Sequence, residues 1–148
     1  KGVFKKCNLK TMPHPGFPTD MQPQMAVLLS VAEGTSLVSE GVWDNRFRYI
    51  DELRRMGAKA EVDGRMCVVE GVEKIQGTTV NACDLRAGVA LVIAGLCAEG
   101  ITEVGNIKHV ERGYEDLVQK LRSLGAAMQK VSEEDEPLKQ SEESRQIG

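Results

Sequence analysis

A chain of 148 residues that is 41% apolar, 28% charged and only 4% aromatic has the size and composition of one ordinary folded domain. It can bury roughly two thirds of its unfolded surface, so it needs neither disulfide nor metal to hold a core, and disorder throughout is excluded. The net charge of −3 is concentrated at one end: residues 132–148 hold six acids against Lys139 and Arg145, which leaves residues 1–131 at +1, without the basic excess of a nucleic-acid binder.

The longest apolar or small-residue run, residues 88–98, is far below the roughly 20 residues that cross a bilayer. With no membrane span and no leader pattern at its start, the chain is expected in the cytoplasm. Cys7, Cys67, Cys83 and Cys97 lie far apart without C-x-x-C spacing, and only His14 and His109 could join them, so no metal site is expected. Each cysteine lies in an apolar stretch, where a free thiol behaves as a small hydrophobe, and all four are expected in the core.

In chain order, residues 6–11 read as a first strand. Met21, Met25, Leu28, Leu29 and Ala32 then fall at helical spacing over residues 20–32, and Gly34 stops the helix. Thr19 and Gln22 have capping-box spacing, while Asp20 as the cap places Pro23 in the first turn; either choice starts the helix here. Residues 37–42 read as a strand, and Phe47, Ile50, Leu53 and Met56 line a second helix closed by Gly57. Residues 59–62 and 65–70 flank Asp63-Gly64, a strong hairpin signal. The order is β-α-β-α-β-β. Asp84 then caps an apolar helix over residues 85–98, expected to be buried on every side, and residues 101–104 form a strand. Tyr114, Leu117, Val118, Leu121 and Leu124 share one face of a helix closed by Gly125, and residues 126–131 are a last strand.

The second half therefore repeats the first. Ala32-Glu33-Gly34 recurs as Ala98-Glu99-Gly100, an arginine follows each glycine by twelve positions (Arg46, Arg112), and each second helix closes on Gly-Ala. Asp20 and Asp84 open the two copies. The domain reading is a partial domain over residues 1–131, with units of about 6–76 and 77–131, followed by an acidic segment over residues 132–148 expected to be disordered. The chain starts mid-strand without methionine, and two such units leave sheet edges that a complete domain would cover, so a piece of a longer protein is expected.

Four ordered motifs carry a resemblance: Phe17-Pro18-Thr19-Asp20-Met21-Gln22-Pro23-Gln24, Asn45-Arg46-Phe47, Asp84-Leu85-Arg86-Ala87 and Arg112-Gly113-Tyr114-Glu115. Over about residues 3–131 the chain resembles the C-terminal third of the UDP-N-acetylglucosamine enolpyruvyl transferases. The related shikimate-pathway enolpyruvyl transferases share the repeats but differ at these motifs. A non-catalytic binding or assembly module of the same fold is the remaining alternative. The resemblance implies an α/β (α+β) fold of two domains, each made of three β-α-β-α-β-β units about a pseudo-threefold axis with helices inside and sheets outside. This inside-out α/β barrel, or alpha-beta prism, would be represented here by two of the three units of one domain. The implied reaction moves the enolpyruvyl group of phosphoenolpyruvate to the 3-hydroxyl of UDP-N-acetylglucosamine and releases phosphate. It uses no metal or organic cofactor. The implied partners are these two substrates and the remaining domain of the full-length chain, with no nucleic acid and no membrane.

Such chemistry needs a base at the hydroxyl, a proton for the methylene carbon, and cations around carboxylate and phosphate. By resemblance Asp20 is the base; read alone, it is more simply a helix N-cap. Arg112 matches the arginine that holds phosphoenolpyruvate, although by itself it reads as a surface arginine paired with Glu111 or Glu115. Arg46, Asp84 and Arg86 match a set of cleft residues, with an N-cap role equally open to Asp84. Val42 and Trp43 match a stretch whose backbone meets the nucleotide sugar, and Trp43 reads equally well as a stacking or a core residue. His14 is expected in a turn between Pro13 and Pro15, and His109 at a strand end. Cys83 and Cys97 do not match the family's reactive cysteine, which lies on a loop of the absent domain.

Overall fold

Alternating burial and Gly-terminated helices set the architecture of residues 3–132, which a computed structural model of the protein describes. The chain forms two compact units, the first ending at Glu115 and the second starting at Asp116. The first begins with β1 (Leu9–Lys10), a 3-10 turn (Thr19–Met21), α1 (Gln22–Ser30), β2 (Thr35–Ser39), α2 (Ile50–Arg55), β3 (Lys59–Asp63) and β4 (Met66–Glu70). This is the expected β-α-β-α-β-β order. The strands form one sheet in the order β1-β2-β4-β3, with β1 parallel to β2 and β4 antiparallel to both β2 and β3. Ser36 and Val38 of β2 and Cys67 and Val69 of β4 face inward, while Met66 and Val68 face out, the two-residue period of a sheet with one covered face.

A second set follows: β5 (Thr79–Asn81), α3 (Leu85–Cys97), β6 (Glu103–Gly105) and α4 (Lys108–Glu111), with β5 parallel to β6. α1 and α3 pack on each other, and their buried faces join α2 and the sheet in one core that includes Val27, Leu29, Tyr49, Ile50, Leu53, Met56, Ala90 and Leu91. Glu52 of α2 accepts a hydrogen bond from the Asn81 N–H (2.9 Å), which ties α2 to β5. The second compact unit contains α5 (Leu117–Ser123).

Some backbone bonds recur at matching places along the described chain. Glu33 and Glu99 each make an isolated parallel bridge, with Lys5 and Gln76 respectively. α2 and α5 close identically. Gly57 N–H reaches Arg54 O and Ala58 N–H reaches Leu53 O, as Gly125 N–H reaches Arg122 O and Ala126 N–H reaches Leu121 O. Both glycines have positive φ, +91° and +96°, which this two-bond closure requires and L side chains resist.

Several boundaries differ from the sequence reading. The first strand is cut to two residues, with isolated bridges at Lys5 and Thr11 on either side. β2 lies earlier than residues 37–42 because the Glu40 carboxylate accepts from the Val42 and Trp43 N–H groups and turns the chain. α4 was not foreseen, and it takes His109 out of the expected strand end. α5 begins at Leu117, leaving Tyr114 outside it. Residues 126–131 are irregular rather than a strand, since among the described residues they have no ladder partner. α3 is buried along its first turns, but Leu96 is 42% exposed, so the helix is not covered on every side. Of the four free cysteines only Cys67 is buried; Cys83 is half-buried, and Cys7 and Cys97 are exposed. The expected acidic segment lies, after Ser132, outside the described residues.

Candidate active site

Two arginines from distant parts of the first unit meet at one carboxylate. Asp20 sits in the middle of the 3-10 turn leading into α1, after an extended Pro18 and before Pro23 in the first helical turn. It caps neither helix. Instead its Oδ1 accepts a hydrogen bond from Arg86 Nε, and Arg46 Nη2 lies 3.5 Å from the same oxygen. The Asp20 side chain is 58% exposed while that of Arg46 is only 15% exposed, so the acid opens to solvent and the guanidinium behind it is held in place. Arg46 Nε is buried without a hydrogen-bond partner among the described residues.

Asp84 does the capping that Asp20 does not. Its Oδ1 accepts from the N–H groups of Arg86 and Ala87, both at 2.9 Å, which closes the first turn of α3 and sets the direction of Arg86. Arg112 lies exposed just after α4. Its neighbours hold it at the same end of α3: a Cβ on Gly113 would lie 2.5 Å from the Leu85 side chain, and one on Gly88 would lie 2.4 Å from Val110 Cγ2. Arg112 makes no ion pair with Asp20 or Asp84. The start of α1, the start of α3, Arg46 and Arg86 thus gather positive potential around one solvent-facing carboxylate, an arrangement suited to an anionic ligand.

Trp43 is 58% exposed, which removes the core role, and the Arg46 guanidinium carbon stands 5.9 Å from its ring centroid. Val42 and Trp43 form a turn whose N–H groups donate to Glu40 Oε1 at 2.9 and 3.1 Å. Glu40 Oε2 accepts from Thr19 Oγ1 (3.0 Å) and Gln22 Nε2 (3.4 Å), and Gln22 Oε1 accepts from the Tyr49 hydroxyl (2.7 Å). Burial raises the Tyr49 phenol well above its ordinary range, helped by the nearby charges of Cys67, Glu40 and Asp84, so it stays a donor. Sequence reasoning missed Glu40. A signal was present, because Glu40 shares the inward parity of Ser36 and Val38, where a charged residue is out of place. Two of the thiols are held in the protonated, unreactive form: burial pushes Cys67 up to about 11, and burial first, then the Asp84 charge, raises Cys83.

The family profile of EPSP synthase (3-phosphoshikimate 1-carboxyvinyltransferase) matches residues 2–121. The UDP-N-acetylglucosamine 1-carboxyvinyltransferase of Desulfofundulus thermocisternus is 58% identical over 84% of this chain and 51% of its own length. That of Clostridium botulinum is 52% identical over 86% of this chain and 31% of its own. The chain thus spans between about a third and a half of the curated relatives it matches. Among solved structures, the enolpyruvyl transferase NikO from Streptomyces tendae superposes with a TM-score of 0.76 at 36% identity, over 84% of this chain and 28% of that one. An EPSP synthase from Acinetobacter baumannii gives 0.62 at 18% identity, over 86% and 29%, a likeness of fold.

Proposed function

We propose, since this chain belongs to the EPSP synthase (3-phosphoshikimate 1-carboxyvinyltransferase) family, that it forms one wall of an enolpyruvyl transferase active site whose acceptor is the 3-hydroxyl of UDP-N-acetylglucosamine. The acceptor is argued from the relatives that share more than half their residues with the chain. In the complete protein, residues 1–131 are two of the three repeat units of one inside-out α/β barrel, and residues 132–148 an acidic extension. The remaining domain closes over the site from the other side. The location that goes with this reading is the cytoplasm.

The observation that carries the chemistry is the Asp20 carboxylate, exposed and facing Arg46 and Arg86 instead of spent on a helix cap. In the transfer, the acceptor oxygen bonds to the central carbon of phosphoenolpyruvate while the methylene carbon takes a proton; phosphate then leaves and a methyl proton is lost. Asp20 takes the hydroxyl proton as general base. Arg112, with its planar fork of donors, holds the carboxylate or phosphate of phosphoenolpyruvate. Arg46, Asp84 and Arg86 orient Asp20 and the bound anion, and the Val42–Trp43 backbone meets the nucleotide sugar. Charges and proton transfers suffice for every step, so no cofactor is invoked.

The test is Asp20→Asn in the complete enzyme. Loss of a general base lowers turnover by about 100-fold or more, while acceptor affinity changes little because the amide oxygen still accepts a hydrogen bond. Arg112→Lys keeps charge but loses the two-pronged contact, so it weakens phosphoenolpyruvate use and spares nucleotide-sugar binding. Full activity in both variants overturns the roles, and turnover of shikimate 3-phosphate in place of the nucleotide sugar overturns the acceptor.

A further inference from the structure

Among the described residues Glu40 is the only charged side chain in the core, at 2% exposed. A carboxylate taken out of water is tolerated only where donors replace its hydration, and an apolar residue would fill the same space without that cost. Four donors meet it, in two sets. Oε1 takes the N–H groups of Val42 and Trp43, while Oε2 takes Thr19 Oγ1 and Gln22 Nε2. Gln22 is locked in turn by the Tyr49 hydroxyl. Thr19 and Gln22 bracket Asp20 in sequence, so both flanks of the candidate base are pinned to the same carboxylate. From Trp43 the contacts run on to Arg46, whose guanidinium lies over the indole and reaches back to Asp20. The ring Glu40, Thr19, Asp20, Arg46, Trp43 and back to Glu40 is closed.

We propose that Glu40 is a positioning residue that fixes the Asp20 segment against the Val42–Trp43 turn. It thereby sets the spacing between the group that takes the acceptor's proton and the backbone that holds the acceptor. The role of that spacing rests on the functional reading above; the clamp itself does not.

The experiment separates the two. Trp43 is the only tryptophan in this sequence. The full-length protein is labelled with 5-fluorotryptophan and the Trp43 fluorine resonance is assigned by its loss in Trp43→Phe. Thr19→Val removes a donor on the Asp20 side only; it shifts the Trp43 resonance, Thr19→Ser restores it, and in a Glu40→Leu background, where no polar group faces Thr19, Thr19→Val shifts it no further. In kinetics, Glu40→Gln raises KM for UDP-N-acetylglucosamine by about tenfold and leaves KM for phosphoenolpyruvate within about twofold. A Trp43 resonance indifferent to Thr19→Val, or equally responsive in both backgrounds, overturns the clamp. A folded Glu40→Gln variant with both KM values unchanged overturns the positioning role. Should either Glu40 variant fail to fold, the Thr19→Val and Thr19→Ser pair decides. A parent protein that does not turn over the nucleotide sugar refutes the functional reading, while the fluorine spectra still decide the clamp.

Discussion

Asp20 and Asp84 each precede a long helix in the chain, yet one carboxylate faces arginines and the other closes a helix. The difference lies in the backbone. Asp84 is extended, the conformation that lets a side chain reach the N–H groups two and three residues on, whereas Asp20 lies inside a 3-10 turn and points away. Cys67 shows environment acting on one group in a measurable way. Burial pushes its thiol from an ordinary 9.0 up to about 11, so between those values the unfolded chain releases a proton that the folded chain keeps. Stability therefore falls as pH rises above 9, by up to about 1.4 kcal/mol per unit, and carries no such slope below 9. Denaturation midpoints at pH 8.5 and pH 10 check this: the wild-type midpoint drops and that of Cys67→Ala drops less. Tyr49, raised further, works in the same direction only at higher pH.

At the level of elements, small residues decide how closely helices approach. A Cβ on Gly88 would lie 2.4 Å from Val110 Cγ2 and 3.0 Å from Ala82 Cβ, so α3 and α4 meet where a side chain does not fit. Gly88→Ala gains about 1 kcal/mol of helix propensity, but overpacking costs about 1–3 kcal/mol, and the expected net result is a lower melting temperature. Val110→Ala in the same chain restores most of the loss. Without that rescue, the contact is not the cause. The order of elements was legible where a periodic or punctuating signal marked it: Asp63-Gly64 for the hairpin, Gly57-Ala58 and Gly125-Ala126 for helix ends. α4 has only four residues, too few for a hydrophobic period to register, and was missed.

At the scale of the whole molecule, the chain spans about a third of the Clostridium botulinum relative. On the functional reading, its base and arginines form one wall, and a single wall cannot hold two substrates in a reactive geometry. The 148-residue chain given phosphoenolpyruvate and UDP-N-acetylglucosamine is therefore expected to release no phosphate above background. Phosphate release by the chain alone would show that the second wall is dispensable.

By itself the sequence determined the β-α-β-α-β-β order up to residue 70 and the helices that pack in the core, because these depend on side-chain period and local turn chemistry. Its resemblance to the enolpyruvyl transferases marked Asp20, Arg46, Asp84, Arg86 and Arg112 as residues to watch. Tertiary structure decided what each acid does. Asp20 meets an arginine 66 residues away, a pairing no local pattern encodes, and Glu40 lies buried because donors from two segments converge on it. Whether a carboxylate caps a helix, meets a guanidinium or takes the place of water in a core depends on which partners the fold brings within hydrogen-bond reach.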